Sequence, residues 1–441
     1  MLKITNLLLP FFIFLFSQYA FAESDLESGW KIIPVKSKLT IKDNDGKPLT
    51  INPACAFDTL KDPGDGSTID NSFHFYFKPG KKDKLVVFFN GGGACWDDAT
   101  CLTSLVKGAR PTYNQSIHQA NSPNSAGGIF DDSNEANPFK EWSKVFIPYC
   151  TGDIHIGSKS VVYIDDGSLT GQKDTPVKVK HHGFDNFLAV REWIKGNFST
   201  KSKNKLKKLL VTGSSAGGYG ATLNFPYLKD AFPKINAVLL SDGATGMVTQ
   251  GFLDTAFNRG SNWNLESTLH TTFADKLGFY FADSFNANLF KKLTASYPKS
   301  RFAQYTTQFD FVQIQFLKIM TKIDSGFIDP PDWIITGSEE DNMLFGLWNW
   351  RMEGSLDDIT HNTNNYQYYN GQGNVHTILT DAFAPAPTIH PFFDEHSAED
   401  VWFTDWIDRF VNSKEFKQER LNSISVPMLT GQGIALAPVL Y

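Results

Sequence analysis

The residues best able to do chemistry stand in the run Leu209-Leu210-Val211-Thr212-Gly213-Ser214-Ser215-Ala216-Gly217-Gly218-Tyr219-Gly220. An apolar stretch there enters Gly-x-Ser-x-Gly and continues into a segment that can form a helix. Such a turn forces its central serine, Ser215, into a sharp backbone conformation, and the flanking glycines remove side chains that would clash. A hydroxyl at the first turn of a helix faces backbone N–H groups and the positive end of the helix dipole, which favour developing negative charge. The chemistry expected is nucleophilic attack by Ser215. The same motif recurs by chance as an inert glycine-rich turn, and the apolar strand before it is what gives it weight here.

A serine nucleophile needs donors for an oxyanion, a base and an acid. Asn90-Gly91-Gly92-Gly93-Ala94-Cys95-Trp96 follows another apolar run, and its glycines let the main chain approach a substrate. The N–H groups of Gly92, Gly93 and Ala216 are the expected donors. A phosphate-cradling loop would need a Gly-Lys-Ser/Thr ending, which this run lacks. Five of the ten histidines follow Ser215: His270, His361, His376, His390 and His396. His376 follows Tyr368-Tyr369-Asn370-Gly371 through a glycine-rich turn, which suits a base carried on a loop after a strand. His390 and His396, in a loop rich in proline and acids, are its rivals. For the acid, Asp310 lies in Phe309-Asp310-Phe311, where burying a carboxylate is costly unless it is paired, and an imidazole is such a partner. Asp242 is the runner-up, with helix capping as its ordinary role.

The elements that must position these residues are short apolar runs separated by helical patterns, the signature of a parallel sheet with crossovers. Leu85 to Phe89, Lys144 to Tyr149, Leu209 to Thr212 and Ala237 to Leu240 read as buried strands, and Phe302 to Thr307 as a further one. Phe184 to Phe198 carries apolar residues at helical spacing, with Asp185 as a plausible N-cap. Asn121 to Asn137 reads as a surface loop. After Asp242 the pattern turns irregular and aromatic, and insertions around 250–300 and 325–360 are expected to cap the sheet and shape a cleft. The expected fold is α/β, a mostly parallel sheet with helices on both faces and helical cap insertions, forming one domain over residues 23–441.

Composition narrows the partners. Residues 1–22 read as a signal peptide, with Lys3 before an apolar core and Ala20-Phe21-Ala22 as the cleavage site, so a secreted or periplasmic product is expected. The apolar core of that segment is too short for a membrane span, no later segment reaches the ~18 consecutive apolar residues one needs, and stable membrane insertion is not expected. A net charge of −6, with the Lys201–Lys208 stretch reading as a solvated loop, disfavours nucleic acid. Cys55, Cys95, Cys101 and Cys150 are an even number in an exported chain, so two disulfides are expected. Cys95 and Cys101 can close a small loop, which leaves Cys55 with Cys150. Paired C-x-x-C spacing for zinc is lacking, and no metal or cofactor is expected.

In order along the chain, Gly91-Gly92-Gly93-Ala94-Cys95-Trp96, Val145-Phe146-Ile147-Pro148-Tyr149-Cys150 with Asp153 beyond, and Gly213-Ser214-Ser215-Ala216-Gly217-Gly218 resemble the pectin acetylesterase/Notum family of α/β hydrolases. The likeness is strongest from Cys55 to Asp242 and thins to Phe309-Asp310-x-x-Gln313 and His376. The resemblance implies Ser215 as nucleophile, Asp310 as acid, His376 as base, an oxyanion hole from Gly92, Gly93 and Ala216, and the pairings Cys95–Cys101 and Cys55–Cys150. The sequence departs from the animal members at Gly93, where they carry Trp at the mouth of the acyl pocket. The function expected is a serine esterase that removes O-acetyl groups from an extracellular or cell-surface polysaccharide. Lipid or short-chain ester hydrolysis is the alternative, and a peptidase or a catalytically silent binding protein are other classes the sequence leaves open.

Overall fold

The computed structural model describes residues 24–25, 29–43, 46–61, 68–106, 111–117, 121–198, 205–258, 260–273, 281–371, 373–383 and 390–422. The expected signal peptide and part of the Lys201–Lys208 stretch lie outside these residues.

Ten strands form the central sheet: β1 (Ser24–Asp25), β2 (Lys31–Pro34), β3 (His74–Lys78), β4 (Lys81–Phe89), β5 (Trp142–Ile147), β6 (Lys208–Ser214), β7 (Asn236–Asp242), β8 (Arg301–Thr307), β9 (Tyr366–Gly371) and β10 (Arg420–Asn422). Their spatial order is β1-β2-β3-β5-β4-β6-β7-β8-β9-β10. From β5 to β10 every neighbour is parallel, and β1 to β3 add an antiparallel edge. The main helices are α1 (Gly183–Asn197), α2 (Ala216–Ala231), α3 (Gln250–Ala256), α4 (Phe285–Ser296), α5 (Phe311–Asp324), α6 (Glu339–Asn362) and α7 (Phe403–Asn412). This is an α/β-hydrolase-type sheet, mostly parallel, with helices on both faces.

The strands read as unbroken apolar runs because both faces of a parallel sheet are covered. Alternation along each strand divides them between two cores. Leu85, Val87, Phe89, Leu209, Val211 and Leu239 pack with Phe187 and Ile194 of α1 and Phe225 of α2. Val86, Phe88, Leu210, Val238 and Leu240 pack on the other face with Phe403, Trp406 and Phe410 of α7. The parallel register sets the C-terminal ends of β4, β6 and β7 side by side, with Gly213 opposite Phe89 and Ser214 opposite Asp242. Ligands of open α/β sheets bind at that end.

Two local expectations change. Asp185 is not the N-cap of α1: His182 holds that position, and the Asp185 carboxylate, inside the first turn, accepts from Asn52 N–H and Ser158 Oγ. Nor is 121–137 merely a surface loop, since Asn121, Ile129, Phe130 and Asn137 are buried. Asn137 Nδ2 donates to the carbonyls of Ile129 and Asp131, which satisfies an inward-folded backbone, and the Phe130 ring packs on Phe88 and Phe146. Among the described residues, no helix is long and apolar enough to cross a membrane.

Candidate active site

Ser215 is the single residue between β6 and α2. Its φ of +58° lies in the left-handed region, which a side chain enters only at a cost on the order of 1–3 kcal/mol. The surroundings hold it there: Ser215 N–H donates to the Asp242 carbonyl, and Gly218 N–H donates to the Ser215 carbonyl, both at 2.8 Å. The glycine at 217 is required for this bend, because a Cβ there would stand 2.0 Å from the Phe89 carbonyl oxygen. Ser215 stays partly exposed at the end of the sheet.

The Asn90–Gly93 loop leaves β4, the strand beside β6, and reaches the serine. A Cβ on Gly91 would be 2.9 Å from Cβ of Ser215. Two side chains that sequence reasoning missed pin this loop. Asn121 Oδ1 accepts from Asn90 Nδ2 (2.7 Å) and from Tyr149 N–H (3.1 Å), while its Nδ2 donates to the Tyr149 carbonyl (2.6 Å). His155 is buried, and its Nε2 lies 2.8 Å from the Asn90 carbonyl, so Nε2 carries the proton. Burial pushes the His155 pKa down to about 4, which keeps the ring neutral. A single sequence holds no signal for either role, since both bonds join loops far apart in the chain. The loop continues into Cys95, bonded to Cys101, while Cys55 is bonded to Cys150. Cys95, Cys101 and His181 are close enough to hold a metal ion, but the two sulfurs are joined to each other and the ring nitrogens of His181 lie 2.8 Å from Thr151 O and Tyr163 Oη.

His376 stands on the loop after β9, and Asp310 at the start of α5. His376 Nδ1 lies 2.8 and 2.9 Å from the two carboxylate oxygens of Asp310. Facing a carboxylate, Nδ1 carries the proton, and in the neutral ring Nε2 is the basic nitrogen. Asp310 is fully buried and also caps α5: its oxygens accept from Gln313 N–H (2.9 Å) and Gln313 Nε2 (2.8 Å). Gln313 is fixed in turn, its Oε1 accepting from Thr245 N–H and Oγ1.

Asp310, not Asp242, is the carboxylate at His376 Nδ1, and Asp242 does not cap the next helix, where Thr249 is the N-cap of α3. Its carboxylate accepts from Ser214 Oγ (2.7 Å) and from the N–H groups of Ile378 and Leu379, so it ties the loop bearing His376 to the strand bearing Ser215. Burial raises its pKa to about 6, against the hydrogen bonds that favour the charged form. His390 pairs with Asp381 at the surface, and His396 packs on Trp402.

Ser215 and His376 line one pocket, together with Gly93, Ala216 and Gln313. The rest of its wall is apolar, mainly Ile154, Met247, Phe252, Phe257, Phe285, Phe316 and Met320, and its volume is about 60 Å³.

Palmitoleoyl-protein carboxylesterase notum1a of Danio rerio is 26% identical over 197 residues, 44% of this chain and 33% of that protein. Pectin acetylesterase 5 of Arabidopsis thaliana is 28% identical over 185 residues, 41% of this chain and 38% of that protein. The aligned segments thus span little more than a third of these relatives. In three dimensions the chain is similar to the Wnt deacylase Notum from Drosophila, with a TM-score of 0.51 at 17% identity, over 88% of this chain and 96% of that one, which shows a shared fold. The pectinacetylesterase family model matches residues 64–300, more than half of the 441, and so takes in Ser215, the Asn90–Gly93 loop and all the strands between them. The chain belongs to the pectinacetylesterase family.

Proposed function

We propose that this protein is an exported serine ester hydrolase that removes short acyl groups, O-acetyl above all, from a polysaccharide. The observation that carries the reading is that one small pocket is lined by a strained serine and by an imidazole whose other nitrogen meets a buried carboxylate. His376 Nε2 takes the proton of Ser215 Oγ as that oxygen attacks the ester carbonyl. The N–H groups of Gly92, Gly93 and Ala216 hold the oxyanion. The alcohol leaves with the proton from His376, and water, deprotonated by the same nitrogen, then releases the acid. Asp310 keeps the ring in the required tautomer and stabilises the imidazolium.

The pocket's volume supports a short acyl group. At about 60 Å³ it lies well below the ~300 Å³ at which pockets for larger small molecules begin. Its apolar wall, with Met247 and Met320 able to shift, favours longer acyl chains as the second reading. The export signal read in residues 1–22 fits an extracellular or periplasmic substrate.

Purified protein and a Ser215→Ala variant, assayed on p-nitrophenyl acetate, octanoate and palmitate, test this. We expect kcat/KM to fall with chain length, and the variant to lose on the order of 10⁴–10⁶ of kcat. Turnover surviving in Ser215→Ala would remove the proposed nucleophile, and a preference for palmitate would select the second reading.

A further inference from the structure

The catalytic pocket has almost no polar wall beyond the groups proposed for the reaction, so it offers little to the hydroxyls of an alcohol leaving group. A second cavity of about 280 Å³ lies next to it. Val248 lines both cavities. Helix α5 turns Phe316 and Met320 to the first and Leu317 and Thr321 to the second, as adjacent rows one residue apart. The volume is near the ~300 Å³ at which small-molecule pockets begin.

The wall of this second cavity is chemically different. Phe281 is 58% exposed, an apolar residue left in water beside polar groups. The Asp283 side chain is 98% exposed, and its carboxylate offers acceptors while pairing with Arg351 at 3.2 Å. The guanidinium is itself held by the carbonyls of Val248 and Ala282, which fixes its plane. Thr321 and Gln250 add short polar groups. A flat apolar face flanked by planar donors and acceptors fits a sugar ring, whose C–H face stacks on an aromatic while its hydroxyls meet the rim. Asp283 and Arg351 are the charged residues of the lining and they cancel. A uronate would have to give up the hydration of its carboxylate for a lining whose cation, Arg351, is already engaged by Asp283 and by the carbonyls of Val248 and Ala282.

Resting on the esterase reading, we propose that this cavity is the leaving-group subsite and that it takes a neutral glycosyl residue of the acylated polysaccharide. Phe281 is its stacking platform, and the Asp283–Arg351 pair fixes the hydroxyls.

The test uses the Ser215→Ala protein, so that binding is read without turnover. It is titrated calorimetrically with a neutral xylo-oligosaccharide and with an oligogalacturonide of equal length. We expect the neutral chain to bind about tenfold more tightly than the uronate, Phe281→Ala in the same background to weaken it by about tenfold, and Phe281→Trp to retain it. Equal affinity in the Phe281→Ala protein, tighter binding of the galacturonide, or no binding of either overturns the subsite. p-Nitrophenyl acetate hydrolysis by the Ser215 protein is measured in parallel. Ser215-dependent hydrolysis without oligosaccharide binding overturns the subsite alone, whereas hydrolysis that does not depend on Ser215 removes the esterase reading and the leaving-group role with it.

Discussion

Asp310 spends one carboxylate on two tasks, holding the His376 ring and capping α5, and Gln313 is the residue that lets it do both. A buried carboxylate without those donors would be poorly oriented and poorly solvated. Asp310→Asn is therefore expected to lower kcat by about 10⁴, the loss seen when a triad imidazole is left in the wrong tautomer. Gln313→Leu, which keeps Asp310 but removes two of its donors, is expected to cost about 10–100-fold in kcat with a smaller change in KM. Steady-state kinetics on p-nitrophenyl acetate would decide, and equal turnover in Gln313→Leu and the parent would show that Gln313 serves only packing. Asp242 gives a pH signature. Its folded pKa is raised to about 6 from an ordinary 3.8. Between those values the folded chain keeps a proton that the unfolded chain has released, so stability falls as pH rises through that window, by about 3 kcal/mol in all. Asp242→Asn cannot ionise. Urea unfolding should then show the variant gaining on the parent by about 2 kcal/mol between pH 4 and pH 6.5, and a constant difference would refute the assignment. The apolar strand runs before Ser215, Asp310 and His376 singled these residues out in the sequence, and the fold sets Ser215 and His376 on one pocket with Asp310 at His376 Nδ1. His155 and Asn121 could not be singled out in this way, because their work is to hydrogen-bond loops brought together only by folding.

At the scale of elements, what was legible follows from periodicity. The strands β4, β6 and β7 bury both faces, so their runs are continuous and unmistakable. The loop 121–137 misled because composition reports polarity but not partners: its asparagines turn inward and satisfy carbonyls. The aromatic region after Asp242 gave no clean period for another reason. Helix α6 buries Phe345, Trp348, Met352, Leu356 and Ile359 along one face but also exposes Met343, Leu347 and Trp350, which blurs the stripe. The same helix contains Gly346 and Gly354, both exposed, and a Cβ added at either meets nothing within 4 Å. Glycine in a helix interior costs roughly 0.5–1 kcal/mol relative to alanine. Gly346→Ala and Gly354→Ala are each expected to add about that much stability, additively, since seven to eight residues of helix separate them. Chemical denaturation would measure it, and a loss in either variant would mean that the glycine is needed for motion or contact beyond the helix itself.

The two disulfides act on different scales of the molecule. Cys55–Cys150 joins positions 95 residues apart and ties the connection between β2 and β3 to the turn after β5. Cys95–Cys101 spans a separation of 6 and fixes the turn that follows the Asn90–Gly93 loop. On the chain-entropy account, a crosslink stabilises by restricting the unfolded chain, by about 4–5 kcal/mol for the long loop and about 2 kcal/mol for the short one. Replacing both cysteines of the long bridge by alanine should thus lower the unfolding free energy about twice as much as the same change in the short bridge. Activity should rank the other way. The short bridge lies two residues beyond Gly93, whose backbone is proposed to hold the oxyanion, so its removal is expected to lower kcat by about tenfold or more at temperatures where the fold is intact. The long bridge touches no proposed donor, and its loss should show in the thermal midpoint before it shows in turnover. Paired urea titrations and p-nitrophenyl acetate kinetics on the two double variants would separate these effects. If both variants lost stability and turnover in the same proportion, the short bridge would have no role in positioning the Asn90–Gly93 loop.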